Sequence, residues 1–207
     1  MNTLETIHQT ARSVRGFLEP EEGERLYALA LEAAGRGPCL EIGSYCGKSA
    51  VYLGGACKKK QSTLFSIDHH YGSEEQQPGE LYFDAALFDP FFYRVDTFGQ
   101  FRKTLEAAQL EDVVVPMAAA SAVVARDWAT PLSLIFIDGG HAYDTVLTDF
   151  DCWHRHVMYS GYLIFHDIYP NPDDGGQAPF EVYRKALASG HFKPLSMTGS
   201  LGVLQRL

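Results

Sequence analysis

The amino-acid sequence predicts an α/β fold built on a doubly wound, mostly parallel sheet. Segments with strand character alternate five times with segments of helical periodicity, and such alternation is typical of parallel sheets whose strands are connected by helices. The runs LEI, LIFI and YLIF are continuously apolar, as strands covered by helices on both faces are. Polar residues follow the strand ends, and open α/β sheets bind their ligands at that edge.

The chain is predicted to begin with a helical leader, residues 1–37. Residues 1–19 have an amphipathic pattern, and we expect them to pack on the domain or on a second copy of the protein. Pro20 suits the first turn of a second helix. The apolar positions of that helix recur at helical spacing before Gly35, at Leu26, Leu29, Ala30 and Ala33.

The stretch Cys39–Gly54, CLEIGSYCGKSAVYLG, predicts a strand, a glycine turn and a helix. The strand contains an acid, Glu41, and two glycines, Gly43 and Gly47, follow it four residues apart. Ser49 adds a hydroxyl group near the helix start. Glycines permit positive φ and a close backbone approach, and a helix start offers unpaired N–H groups to a carboxylate or phosphate. The turn is not the GxGxxG dinucleotide fingerprint, because Ser-Tyr-Cys fills it.

A second strand, Ser62–Ile67, is predicted to end at Asp68, 25 residues after Gly43. An acid at about this distance from a glycine turn binds ribose hydroxyls in doubly wound folds. An acid in this position also serves as a simple strand-end cap, and both interpretations stay open. His69 and His70 follow directly, and the sequence does not choose which of them contacts a ligand.

Residues 69–97 interrupt the alternation of strands and helices. Long loops inside compact domains are usually functional lids or disordered segments. Seven aromatic residues argue against disorder here: Tyr71, Tyr82, Phe83, Phe88, Phe91, Phe92 and Tyr93. We therefore predict that this insertion is a lid over the site or a dimer contact.

The remaining elements continue the α/β pattern. They are a helix at Phe98–Gln109, a strand at Val113–Met117, a small-residue turn at Ala118–Ser121 with a helix ending near Trp128, and a strand at Leu132–Ile137. A further helix places Val146, Phe150, Trp153 and Val157 on one face before a fifth strand at Tyr162–Phe165. A helix around Phe180–Leu187 then precedes two short strands, about 191–197 and 201–206. The Gly-Ser turn between these two strands predicts a closing hairpin.

Composition limits the class of protein. A chain of 207 residues with 46% hydrophobic and 21% charged residues suits a single globular domain. The net charge of −9 argues against a nucleic-acid partner, which needs a basic face. Four cysteines without a CxxC pair predict free thiols in a reducing compartment. The polar N-terminus and the lack of a long apolar run predict a cytoplasmic protein without a signal peptide or a membrane span.

Polar side chains collect after the fourth and fifth predicted strands. Asp138 and His141 follow the fourth, and His166 and Asp167 follow the fifth. Carboxylates on neighbouring strands repel each other unless one is protonated or a cation lies between them. Oxygen ligands favour Mg²⁺, or Mn²⁺ if a histidine joins them. Such a cation would lower the pKa of a coordinated hydroxyl, whose proton His141 would take. Two alternatives stay open: the acids cap turns and helices, and the histidines have no chemical role.

Taken as a set, these segments resemble the class I S-adenosylmethionine-dependent methyltransferases. The glycine turn is similar to that of the catechol O-methyltransferases, in which a Glu-x-Gly strand end precedes Tyr-Cys-Gly and a serine. FSIDHH, Ala118–Ser121, FIDGGHAYD and GYLIFHD resemble the enzymes that methylate sugars and natural products. The resemblance covers about Pro38 to Asp167. It implies a Rossmann-like, seven-stranded sheet with a reversed last strand, which agrees with the terminal hairpin.

The resemblance also implies a role for each matching residue. Those assigned to S-adenosylmethionine are Glu41, Gly43, Ser44, Tyr45, Gly47, Ser49, Asp68, His69, Ala119, Ser121 and Asp138. Among them, the glycine turn would shape the methionine pocket, Asp68 would bind the ribose hydroxyls, and residues 119–121 would flank the adenine. Asp138, His166 and Asp167 are the expected metal ligands, although Ile168 replaces an asparagine ligand of the catechol enzymes. His141 falls where those enzymes carry a catalytic lysine.

The sequence therefore predicts an S-adenosylmethionine-dependent O-methyltransferase assisted by Mg²⁺ or Mn²⁺. The acceptor would be a small molecule (a sugar, a phenol or a natural product), and the leader and the insertion favour a homodimer. A nicotinamide-dependent oxidoreductase would share the fold and Asp68 but should carry GxGxxG. A metal-dependent hydrolase could use the Asp and His cluster without a nucleoside cofactor. A binding module without activity is the third alternative.

Overall fold

The computed structural model describes residues 4–207. Its helices are α1 (Leu4–Ser13), α2 (Pro20–Ala33), α3 (Lys48–Lys60), α4 (Phe98–Ala108), α5 (Ser121–Ala125), α6 (Tyr143–Trp153) and α7 (Ala178–Ala188). Its strands are β1 (Cys39–Ile42), β2 (Leu64–Asp68), β3 (Phe88–Asp89), β4 (Arg94–Val95), β5 (Val114–Ala118), β6 (Leu132–Ile137), β7 (Val157–Phe165), β8 (Phe192–Pro194) and β9 (Gly202–Arg206). Part of the predicted leader, residues 1–3, lies outside the described residues. Within them, no helix combines the length and the apolar character needed to cross a membrane.

Seven strands form the main sheet in the order β5-β2-β1-β6-β7-β9-β8. The pairs from β5 to β7 are parallel, and β9 is antiparallel to both of its neighbours. The predicted fold class is therefore confirmed, including the reversed last strand and the C-terminal hairpin. In this order β1 lies beside β6. The chain moves outward from β1 to β2 and β5 on one side, and from β6 to β7 on the other. The switch point of a doubly wound sheet is where its ligand cleft opens.

Side chains of the sheet alternate between two apolar cores. Cys39, Leu134 and Phe136 pack on the side of α1 to α4, whereas Leu40 and Ile135 pack on the side of α6 and α7. Both faces of the central strands are thus covered, which explains why their sequences are continuously apolar.

The prediction for the start of β7 was wrong. The strand begins at Val157, which was expected on the helix α6, and it includes an irregular register between Val157 and Tyr162. Ser160 has φ of 57°, and a Cβ at Gly161 would lie 2.8 Å from a carbonyl oxygen of Met158. The bulge breaks the apolar pattern of the strand. The helix α5 also ends earlier than expected, at Ala125.

The insertion at residues 69–97 is folded. It contains two short 3₁₀ helices, Glu74–Gln76 and Ala85–Leu87, and the two-stranded sheet of β3 and β4. Its two ends are joined, because the Nδ1 atom of His70 lies 2.8 Å from the hydroxyl of Thr97. Its tip exposes apolar side chains, namely Leu81, Phe91, Phe92 and Tyr93. The roles of lid and dimer contact stay predictions.

Candidate active site

Two adjoining cavities open at the carboxyl edge of the sheet. The first, of about 250 Å³, lies between the glycine turn, the Asp and His cluster, the α1–α2 loop and the insertion. The second, of about 350 Å³, extends along the ends of β1 and β2 towards α5 and α6. Gly43, Asp68, His69 and Gly139 line both cavities. The two spaces therefore form one cleft, which meets at the turn after β1.

The turn after β1 requires glycine at its first position. Gly43 has φ of 87°, and a Cβ there would lie 2.1 Å from the carbonyl oxygen of Asp138. No side chain fits so close to a fixed backbone atom. Gly47 also has positive φ, 93°, and precedes the first residue of α3. This close packing places the turn directly beside the end of β6.

Asp68 holds the glycine turn in place. Its Oδ2 atom accepts hydrogen bonds from the backbone N–H groups of Ser44 (3.0 Å) and Tyr45 (2.8 Å). Its Oδ1 atom accepts one from His70 N–H at 2.6 Å. A carboxylate has about four acceptor positions, so one on Oδ1 stays available to the cleft. The capping role of Asp68 is present in the structure, and the side chain also lines both cavities.

Glu41 lies beneath the turn rather than in the cleft. Its fully buried carboxylate accepts hydrogen bonds from the hydroxyls of Ser66 (2.6 Å) and Ser49 (2.9 Å). Burial raises the pKa of Glu41 to about 7, even though both hydroxyls favour the charged form. Among the predicted site residues, Glu41 and Gly47 are the two that line neither cavity. Glu41 contacts the cleft through Ser49, which lines the first cavity.

The wall of the second cavity combines small residues with one buried acid. Ala119, Ala120 and Ser121 line this cavity, as predicted from the sequence, and Asp149 of α6 lines it as well. The Ser121 hydroxyl donates a hydrogen bond to Asp149 Oδ1. Burial raises the pKa of Asp149 to about 6, although the bond from Ser121 opposes the shift. The sequence interpretation missed Asp149. Its signal was an acid at helical spacing among Val146, Phe150 and Trp153.

His166 joins the acids at the other end of the cleft. Its Nε2 atom lies 3.0 Å from Glu22, and its Nδ1 atom lies 3.1 Å from Asp138 and 3.4 Å from Asp167. Burial disfavours the imidazolium, but the three carboxylates raise the pKa of His166 well above its usual range. Glu22 is buried as well, and hydrogen bonds from His166 and Ser200 keep its pKa low despite burial. The sequence interpretation missed Glu22, which lies in the first turn of α2.

His141 is held between Asp167 and the insertion. Its Nε2 atom lies 2.8 Å from Asp167 Oδ2, and its Nδ1 atom lies 2.9 Å from Glu75 Oε2. The hydrogen bond with Asp167 raises the pKa of His141 to about 9, against the effect of burial, and Glu75 adds to the shift. Burial alone would raise the pKa of Asp167, but the two histidines hold it far below its usual range. Both ring nitrogens of His141 therefore contact carboxylates in this arrangement.

Three of these residues lie close enough together to hold a cation. Ligand atoms of Asp138, His141 and Asp167 all lie within 4.8 Å of one another. His166, the histidine expected to bind metal, is not part of this set. His141 takes its place. Two carboxylates and one imidazole suit Mn²⁺ or Mg²⁺, with the histidine favouring Mn²⁺.

The adjacent histidines after β2 have different surroundings. His69 lines both cavities, whereas His70 is buried against Phe98 and Phe101. The structure thus places His69, not His70, at the cleft. Residues of the α1–α2 loop, Arg15 to Leu18, also line the first cavity, and no sequence motif had indicated them.

Comparisons with known proteins agree with this fold. A family model described as "Methyltransferase domain" matches residues 40–168. An O-methyltransferase from Bacillus cereus, solved in complex with SAH, has a TM-score of 0.65 and 16% identity, covering 99% of this chain and 90% of that one. TomG from Streptomyces achromogenes, an O-methyltransferase of tomaymycin synthesis solved with SAM, has a TM-score of 0.63 and 14% identity, covering 99% and 88%. The O-methyltransferase NovP has a TM-score of 0.68 and 16% identity, covering 90% and 80%.

Proposed function

The chain belongs to the methyltransferase-domain family, and from this premise we propose that it transfers the methyl group of S-adenosylmethionine to a hydroxyl oxygen of a small molecule. The observation that carries the proposal is the continuity of the two cavities at Gly43, Asp68, His69 and Gly139. One cleft thereby joins a small-residue pocket suited to a nucleoside with a cluster of acids and histidines suited to proton transfer. The solved relatives bound to SAM or SAH support the choice of cofactor.

The cofactor would extend across both cavities. Its adenine would lie between Ala119 and Ser121 in the second cavity, and its ribose hydroxyls would bind the free acceptor position of Asp68. The methionine part would lie on the glycine turn, where Ser44, Tyr45 and Ser49 line the first cavity. These residues already line the two cavities, so binding needs little rearrangement of the turn.

The acceptor hydroxyl would lie beside His141. Methyl transfer breaks the bond between sulfonium and methyl carbon and forms a carbon–oxygen bond, while the hydroxyl proton leaves. We propose that the neutral form of His141 takes this proton once the acceptor replaces Glu75 at Nδ1; because the pKa of His141 is about 9 while Asp167 and Glu75 contact it, this form becomes abundant only as pH rises towards that value. Glu75 and His141 have side-chain exposures of 44% and 40%, and an ion pair this exposed contributes little stability. Displacing Glu75 therefore costs little free energy, and Asp167 keeps the imidazole oriented through Nε2.

A divalent cation fits the same corner of the cleft. Asp138, His141 and Asp167 would hold it, as an alternative to His141 acting as the base. When bound, such a cation polarises the acceptor hydroxyl and lowers its pKa. Asp138 and Asp167 orient the acceptor in either case, and positioning is most of what the reaction needs, since the sulfonium already activates the methyl group.

Calorimetric titration with S-adenosylhomocysteine tests the cofactor. We expect micromolar binding to the wild type, loss of binding in Asp68→Ala, and wild-type binding in Asp173→Ala, which changes an exposed acid of the β7–α7 loop. Parallel titrations with Mg²⁺ and Mn²⁺ test the cation. No heat with S-adenosylhomocysteine or with NAD would overturn the proposal and favour a metal-dependent hydrolase.

Transfer of radiolabelled methyl from S-adenosylmethionine to mixed phenols and glycosides tests the role of His141. In His141→Asn we expect unchanged affinity for S-adenosylhomocysteine and a rate lower by about 10²- to 10⁴-fold, the usual contribution of a general base. An unchanged rate would remove His141 from the reaction.

A further inference from the structure

Asp149 is a buried acid whose second oxygen has no partner. The residue is 4% exposed, and Ser121 donates to its Oδ1 atom. Among residues 4–207, none donates a hydrogen bond to Oδ2 and none forms an ion pair with the carboxylate. The carboxylate lines the second cavity. A buried acid usually has all of its acceptors filled, so the free Oδ2 needs a donor that the chain itself does not supply.

The position of Asp149 makes the acid costly for the fold. It lies on the buried side of α6 among Val146, Phe150 and Trp153, where an apolar residue would pack without loss of hydration. Burying a carboxylate without a counter-ion costs free energy. The described contacts of Asp149 do not offset that cost, since Ser121 is its one hydrogen-bond donor. The second donor must therefore come from the cavity that Asp149 lines, either from water or from a ligand that displaces it.

The cavity around Asp149 limits what that ligand can be. Its lining is largely small or apolar, with Ile42, Ile67 and the three alanines Ala119, Ala120 and Ala122. Among its other polar side chains, Thr148 already donates to the carbonyl of Asp144 at 2.7 Å. Such walls suit a flat, uncharged ring, and Asp149 suits an N–H group on the edge of that ring. A ring that carries an acceptor at the same place would be repelled by the carboxylate.

We propose that Asp149 Oδ2 accepts a hydrogen bond from the exocyclic amine of the cofactor's adenine, and that Ser121 orients the carboxylate for this contact. The inference rests on the proposed function, because it assumes that the nucleoside of the cofactor occupies the second cavity. It goes further in naming a specificity-determining residue on α6. The turn at residues 118–120 consists of alanines, so it offers no side-chain acceptor of its own.

The sharpest test compares two ligands that differ at one ring position. S-adenosylhomocysteine carries an amine there, and S-inosylhomocysteine carries an oxo group that cannot donate. Calorimetry with the wild type should give at least about tenfold weaker binding of the inosine analogue, since a buried hydrogen bond to a charged group contributes about 1.5–3 kcal/mol. Equal binding of the two ligands would overturn the proposal without any variant being made.

Variants then identify the residue responsible. Asp149→Asn should reduce the preference for the adenine ligand to near one, because an amide can donate to the oxo group as well as accept from the amine. Asp151→Asn is the matched control, an exposed acid on the same helix that pairs with Lys185, and it should keep the wild-type preference. Retention of that preference in Asp149→Asn would overturn the proposal. Failure of the wild type to bind S-adenosylhomocysteine would instead overturn the proposed function.

Discussion

The carboxylates around the cleft form two groups whose negative charge is balanced differently. In the first group, Glu41, Asp68 and Asp149, every contact described is with a neutral donor, either a serine hydroxyl or a backbone N–H. In the second group, Glu22, Asp138 and Asp167, the carboxylates contact imidazole rings. We call these the neutral-donor group and the imidazole group.

The two groups have different consequences for charge. Burial raises the pKa of Glu41 to about 7 and of Asp149 to about 6, because hydroxyl donors compensate burial only in part. In the imidazole group, the pKa values of Glu22 and Asp167 lie below normal despite burial, because the histidines stabilise the anions. At the sheet edge, Asp149 with its raised pKa thus faces the proposed nucleoside, whereas the ion pairs of the imidazole group lie where a proton is to move.

The largest effect should come from breaking the imidazole group. Glu22 is 3% exposed, and in His166→Ala its carboxylate loses the imidazole ring that lies 3.0 Å from it. Removing one partner of a buried pair typically costs about 3–5 kcal/mol, and we expect a loss of that size in urea unfolding.

The exposed His191 provides the control for this change, and His191→Ala should alter the free energy of unfolding by less than about 0.5 kcal/mol. A loss below about 1 kcal/mol in His166→Ala would mean that the hydrogen-bond donors of Ser200 and Glu19, not the histidine, stabilise the Glu22 anion.

The next largest effect should arise where the two groups meet, at Gly43. In Gly43→Ala, the new Cβ would lie 2.1 Å from the carbonyl oxygen of Asp138, at a φ of 87°. Both the overlap and the backbone strain must be relieved by separating the turn from β6, and we expect about 3 kcal/mol of destabilisation. S-adenosylhomocysteine should no longer bind in calorimetry. Gly35→Ala, which has open space around it, should change neither quantity.

A smaller effect is expected within the neutral-donor group. Ser66→Ala removes the hydroxyl that donates to Glu41 Oε1 at 2.6 Å, while Ser49 still donates to Oε2. Leaving one buried acceptor without a donor costs about 1–3 kcal/mol. Because Ser66 lines neither cavity, the loss should appear in urea unfolding at neutral pH with cofactor affinity little changed. An effect as large as that of His166→Ala would erase the distinction between the two groups.

In each group the sequence predicted two of the three acids and missed one, Asp149 in the neutral-donor group and Glu22 in the imidazole group. Glu41, Gly43 and Asp68 belong to strand ends whose order follows from apolar runs and turn residues, so a local pattern was sufficient. Glu22 contacts His166 across 144 residues of chain. Glu75 belongs to an insertion without a regular period. No periodicity indicates such contacts, because they depend on how the leader and the insertion pack on the sheet. The start of β7 was missed for a local reason, the bulge at Gly161.

Asp149 lies between these cases, since its helical spacing placed it on a buried face while its acidity suggested a solvent position. Replacing this acid should therefore change stability in the opposite direction to the substitutions above. In Asp149→Asn we expect the protein without ligand to be more stable than the wild type at neutral pH. The raised pKa of Asp149, about 6 against 3.8 as the ordinary value, means that the folded state binds more protons than the unfolded state between those pH values.

Wild-type stability should therefore decrease as pH rises from about 4 to about 6, and the full loss should persist above that range. Each pKa unit corresponds to about 1.4 kcal/mol, and we expect a gain of about 1–2 kcal/mol for Asp149→Asn at pH 7 that disappears near pH 4. Urea unfolding of both proteins at pH 4, 5, 6 and 7 measures this difference directly. A variant that is less stable than the wild type at pH 7 would show that Ser121 compensates the buried charge fully, and that Asp149 is then part of the fold's own hydrogen bonding.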